Sequence, residues 1–73
     1  MTVIHTPADL GNLIRAERKS KGFTQTKLAH YSGVGINFVS NLENGKETAE
    51  IGKALRVAQT LGIDLFAKPR GSE

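Results

Sequence analysis

Apolar residues recur at helical spacing in four stretches of the chain, separated by glycine-containing punctuation. Leu10, Leu13 and Ile14 form the first stripe. Thr6-Pro7 marks its start, with Thr as the cap and Pro at the first helical position, where a missing N–H costs nothing. Lys21-Gly22 ends it, a cation in the last turn followed by a helix-stopping glycine. Thr24 caps a short second helix over roughly 25–31, with Leu28 and Ala29 inward, and Gly33 breaks it. A third helix over roughly 36–43 starts at Gly35, a weaker cap, and stops at Asn44-Gly45. A fourth runs over roughly 49–61, with Ile51, Leu55, Ala58 and Leu61 at helical spacing and Gly62 as its end. Thr48 is expected to cap it simply, because Ile51 stands where a capping box needs Glu or Gln.

The tail changes period. Ile63-Asp64-Leu65-Phe66-Ala67-Lys68-Pro69 alternates imperfectly, which predicts a short strand over 63–69. A lone strand needs a ladder partner. Thr2-Val3-Ile4-His5, or the same strand of a second subunit, would supply one; a fifth short helix or a loop is the alternative. Residues 70–73 are expected to be disordered.

Gly33-Val34-Gly35 raises the possibility of a phosphate-cradling loop. The pattern fails: a dinucleotide loop needs a third glycine where Phe38 stands, a P-loop needs Gly-Lys followed by Ser or Thr, and no strand precedes the pair. A helical wheel of the third helix reads differently. Ser40, Asn44, Asn37 and Asn41 share one arc about 100° wide, while Val39 and Leu42 face the opposite way with Phe38 flanking. A merely solvated helix face would favour Glu and Lys, which are better helix formers than Asn and Ser. Asn can bond bidentately to an adenine edge, and Ser can reach bases or phosphates. Two short helices around Gly33, the second carrying such a face, make a helix-turn-helix. Ala29 is small enough for a close crossing, and Gly33 can adopt the positive φ of a tight turn.

Composition narrows the classes. The 73 residues suffice for one small domain, and the absence of cysteine removes disulfides and thiolate metal sites. His5 and His30 lack ligand spacing, so no metal and no cofactor are expected. No apolar run approaches a membrane span, and MTVIHTPADL lacks signal-peptide character, which together imply a soluble, cytoplasmic protein. No nucleophile–base pair or carboxylate pair suggests an enzyme. The net charge is +3, and the cations Arg15, Arg18, Lys19, Lys21 and Lys27 face only Glu17 in their interval. That bias suits phosphate, although a solvated helix face would look alike.

Phe23-Thr24-Gln25-x-x-Leu28-Ala29-x-x-x-Gly33-Val34-x-x-x-x-Val39-Ser40-x-Leu42-Glu43-Asn44-Gly45 resembles the signature of the Cro/CI-type (XRE) helix-turn-helix family of phage and bacterial repressors. The resemblance extends over roughly residues 10–62. It implies a mainly α, four-to-five-helix lambda-repressor-like domain that binds palindromic double-stranded DNA as a homodimer. By position, Ile36, Asn37 and Asn41 would contact bases. Gln25, Ser40, Asn44 and Lys46 would contact phosphate. Arg18 and Glu43 would form a buried ion pair between the first and third helices; Arg15 and Lys19 are divided between phosphate contact and solvation. Gly35 and Ile36 depart from the Ser, Thr or Gln of many members. Ile36 is left between a thymine methyl and boundary packing, and Phe38 between core edge and base contact.

Glu50-Ile51-Gly52-Lys53-Ala54-Leu55-x-Val57-x-x-x-Leu61-Gly62-Ile63-Asp64-Leu65 is looser and is similar to small HipB-type antitoxins, encoded beside HipA-type Ser/Thr kinase toxins. That likeness implies a C-terminal strand pairing across the dimer through Ile63, Leu65 and Phe66, and a kinase partner. The expected organisation is one domain over 1–73, a DNA-binding core over 6–62 and a dimerising strand over 63–69. The expected function is a sequence-specific repressor serving as antitoxin and autoregulator. A phage-type or restriction-modification controller, or a toxin-binding module with secondary DNA binding, are the alternatives.

Overall fold

Thr6 opens the first helix, α1 (Pro7–Ser20), in the computed structural model of the chain, which describes residues 2–71. Its hydroxyl accepts from the Asp9 N–H at 3.1 Å, and Asp9 Oδ2 accepts from the Thr6 N–H at 3.1 Å. This is a capping box closed by Asp, a residue shorter than the usual Glu or Gln. The backbone N–H of His5 also donates to Asp9 and is the main cause holding that carboxyl below its ordinary value.

Three further helices follow: α2 (Gln25–Ser32), α3 (Ile36–Glu43) and α4 (Ile51–Thr60). Thr24 caps α2 by accepting from the Lys27 N–H at 3.1 Å. The fourth helix starts later than its sequence suggests. Thr48 does not cap it; the N-cap is Glu50, with no side-chain cap bond. Its apolar register also differs. Ala54, Val57, Ala58 and Leu61 form the buried stripe, whereas Ile51 and Leu55 are exposed at 67% and 40%. A face 54/57/58/61 follows the i, i+3, i+4, i+7 rule; Leu55 lies to one side of it, and Ile51, at its edge, is the first residue of the helix.

The core gathers Leu10 and Ile14 from α1, Leu28 and Ala29 from α2, Val39 and Leu42 from α3, and the stripe of α4. Leu13, expected inward, is half-buried. Crossings are close where residues are small. A Cβ on Gly11 would collide with the Leu42 carbonyl oxygen and stand 2.8 Å from that of Glu43, so α1 lies directly on the C-terminal turn of α3. Ser32 Oγ donates to Thr60 Oγ1 at 3.0 Å and ties α2 to α4.

The strand expected over 63–69 is not formed: among the described residues there is no strand, and Thr2-Val3-Ile4-His5 does not pair with the tail. Within one chain the tail has no ladder partner. Ile63 is held by its N–H donating to the Ala58 carbonyl at 2.9 Å and by packing on the core; beyond it the segment lies exposed. Of the segment expected to be disordered, residues 72 and 73 lie outside the described residues.

Candidate nucleic-acid interface

Local chemistry fixes how α3 is presented. Gly33 takes φ 70° and ψ 33°, the left-handed conformation that only glycine adopts cheaply. The Val34 N–H then reaches back to the Ala29 carbonyl at 3.0 Å, and the Val34 side chain packs against the core. Gly35 begins α3 without a side-chain cap, as its lack of a side chain requires. Val39 and Leu42 are buried against α1 and α2, so the helix cannot rotate. The opposite arc is thereby turned outward: Asn37, Asn41 and Asn44 are exposed, and Ser40 is half-exposed. Ile36 is 46% exposed and borders this arc. Lys46 stands exposed just beyond it in the loop leading to α4.

One flank of the arc is anchored by a buried charge network. Glu43 is 3% exposed and Arg18 8%. Arg18 Nε donates to Glu43 Oε2 at 2.6 Å and Nη2 to Oε1 at 3.1 Å, the paired geometry of a guanidinium fork on a carboxylate. Arg18 Nη1 donates to the Phe23 carbonyl at 2.8 Å. Gln25 Nε2 donates to Glu43 Oε1 at 3.0 Å, and Arg15 Nε lies 3.6 Å from the same oxygen. Burial pushes the Glu43 carboxyl up, but the hydrogen bonds from Arg18 and Gln25, with the charges of Arg18 and Arg15, outweigh it and hold it below its usual value. Arg18 is raised, chiefly by its hydrogen bond to Glu43.

The network joins the end of α1, the start of α2 and the last turn of α3. Gln25 therefore has a structural role that its sequence position did not reveal: one amide hydrogen is committed to Glu43. Phe38 is half-buried, packs against the core and carries the Lys53 ammonium 5.9 Å from its ring centroid. Lys53 went unread in the sequence, because its approach to Phe38 depends on how α4 folds back. Gly11 was missed too, although a glycine between Leu10 and Ile14 on a helix face is a signal of close approach. Among the described residues no group of His, Asp and Glu could hold a metal ion, and no helix is long and apolar enough to cross a membrane.

A helix-turn-helix family model (HTH_3) matches residues 14–67, spanning the charge network, the turn and the exposed arc. An uncharacterized HTH-type transcriptional regulator of Sinorhizobium fredii is 53% identical over 66 residues, 88% of this chain and 87% of that protein. Antitoxin HipB of Escherichia coli K12 is 27% identical over 62 residues, 85% of this chain and 70% of HipB. A chain of the HipA-HipB-O2-O3 complex has the same fold, with a TM-score of 0.86 at 24% identity over 96% of this chain and 99% of that one. The restriction-modification controller protein C.AhdI from Aeromonas hydrophila has a TM-score of 0.70 at 29% identity, over 80% of this chain and 84% of that one. With its turn, its buried pair and its outward α3 all inside the matched residues, the chain belongs to the XRE-type helix-turn-helix family of DNA-binding transcription regulators.

Proposed function

We propose that this regulator is a homodimeric, sequence-specific repressor, and that it acts as antitoxin and autoregulator beside a HipA-type kinase. The observation that carries the DNA-reading part is the exposed arc of α3, three amides and a hydroxyl on a helix locked by its buried side. Asn37 and Asn41 read base edges, and Ile36 meets a thymine methyl at the border. Ser40, Asn44, Lys46 and the free amide hydrogen of Gln25 contact phosphates and fix the register. Two α3 helices enter successive major grooves about one helical turn, ~34 Å, apart. No catalysis is proposed.

Asn37→Ala and Asn41→Ala are each expected to weaken binding to the preferred duplex by ~1–3 kcal/mol, measured by gel shift, with the melting temperature nearly unchanged. An equal loss on random DNA would show that these residues do not read bases.

The dimer rests on the tail. Leu65 and Phe66 are exposed at 41% and 80%, and with Leu55 and Ile63 they border a groove along α4 that Gln59 and Asp64 also line. Pairing of two tails would cover it and supply the ladder partner that one chain lacks. Leu65→Asp is expected to give monomers in sedimentation; an intact dimer would place the interface elsewhere.

The antitoxin role is supported by likeness to HipB over most of this chain. It is tested by co-purification with the product of the adjacent gene: a kinase that binds this chain supports it. The likeness to C.AhdI favours a second reading, a restriction-modification controller. An adjacent endonuclease or methyltransferase gene would point there.

A further inference from the structure

The arc of α3 has two flanks. The Glu43 network occupies one, with Arg15 half-exposed beside it. On the other, the ring of Phe38 packs against the core and Lys53, in the first turn of α4, lies over it. The Lys53 side chain is 42% exposed, and its Nζ is 3.8 Å from Oε1 of Glu50, itself 72% exposed. A lysine stem is ordinarily free to rotate. Here the ring face attracts the ammonium, and an opposite charge one turn back lies within ion-pair distance of it. An ion pair this exposed adds little stability. What the arrangement does is fix the place of a cation. On the wheel Phe38 lies about 60° from Asn41, so that cation borders the amide edge of the arc. A helix in a major groove has a phosphate backbone along each side, and it is registered by contacts to both.

We propose that Lys53, bedded on Phe38, contacts phosphate on the α4 side of the recognition helix, and that Glu50 is its counter-ion until DNA displaces it. This rests on the DNA-reading proposal above. It also accounts for the bulk of Phe38, whose ring is a core edge with an outer face that carries a charge. The exchange follows from charge density. A duplex presents a continuous row of phosphates and releases condensed counterions when a lysine replaces them, whereas Glu50 offers one solvated carboxylate at 3.8 Å. Glu50 also repels the backbone, so it holds Lys53 at a cost to affinity.

The test is the salt dependence of binding, by fluorescence anisotropy, on two probes: a short duplex enriched from random sequence by the protein itself, and a scrambled duplex of the same composition. Lys53→Met keeps an apolar stem on the ring and removes the charge. Its slope of log K against log salt is expected to be shallower by about 1.8 on both duplexes, from the two Lys53 side chains of the dimer at about 0.9 each, with the melting temperature unchanged. Lys53→Arg should restore the slope, and Glu50→Gln should bind both duplexes more tightly. An unchanged slope in Lys53→Met, with wild-type binding intact, overturns the assignment alone. A loss confined to the enriched duplex overturns it too, since that would mark a base contact. A wild-type chain that binds neither duplex overturns the DNA reading and this inference together.

Discussion

Glu43→Ala is expected to lose about 3–5 kcal/mol of stability, the cost of leaving a buried charge without its partner. Glu43 accepts two hydrogen bonds from Arg18 and one from Gln25, and its removal leaves the Arg18 guanidinium buried with the Phe23 carbonyl as its remaining hydrogen-bond acceptor. Small domains have ~5–15 kcal/mol in total, so the variant is expected to melt far below the wild type. The double variant Arg18→Met/Glu43→Leu separates the charge from the space it fills. It should recover most of the loss, because apolar side chains of similar volume often replace a buried pair without penalty. Chemical denaturation of the wild type, Glu43→Ala and the double variant measures both effects; a Glu43→Ala variant as stable as the wild type would mean that Arg18 finds another partner.

Acidity addresses the same group. The folded Glu43 carboxyl lies below its ordinary value, so its contribution is complete above the unfolded carboxylate range, near pH ~4.3. That contribution is lost as pH falls through the lowered folded value. Arg18 stays protonated throughout and adds no slope in this window. Melting temperature followed from neutral pH into this acid window should therefore fall less steeply in Glu43→Gln than in the wild type.

The second large effect belongs to a glycine. Gly11→Ala is expected to cost about 3 kcal/mol, the upper end of overpacking, because the new methyl meets two backbone carbonyls of α3 and not a flexible side chain. Relief requires α1 to move off α3, which would also stretch the Arg18–Glu43 pair and tilt the recognition helix. DNA affinity should fall along with stability. Gly52→Ala is the control. Gly52 is exposed in α4 with nothing within 4 Å of an added Cβ, so alanine there is expected to stabilise by ~0.5–1 kcal/mol. Thermal melts of the two variants shifting in opposite directions would confirm the contrast. Equal shifts would mean that helix propensity, not the crossing, governs both.

Local chemistry explains which parts of this fold were legible. Thr6, Thr24, Gly22, Gly33, Gly45 and Gly62 mark helix ends by their own conformational preferences, and those ends appear where the residues stand. The third helix, with Asn37, Ser40 and Asn41 and its cap Asn44 opposite Val39 and Leu42, is legible because both faces lie within one short segment. In the fourth, Ala58 and Leu61 face inward as their spacing predicts, but Ile51 and Leu55 do not. Ile51 and Leu55 fit helical spacing as well as Ala54 and Val57 do, and tertiary contact with α2, favouring small residues, selects the latter. The tail was read as a strand because its alternation is real, but a strand exists only with a partner, which no local pattern supplies. The bond of Gln25 to Glu43 and the place of Lys53 over Phe38 are illegible for the same reason: each depends on a side chain of a different helix.

The central claim is that the amide arc of α3 selects DNA sequence from a dimer. One selection tests it most directly: wild type and Asn41→Ala, each challenged with the same random duplex library at the same salt. The wild type is expected to enrich a palindrome whose half-sites are about one helical turn, ~10 base pairs, apart, and Asn41→Ala to lose preference at one symmetric position while keeping the spacing. Failure of the wild type to enrich any sequence, or an identical palindrome recovered by Asn41→Ala, would contradict it.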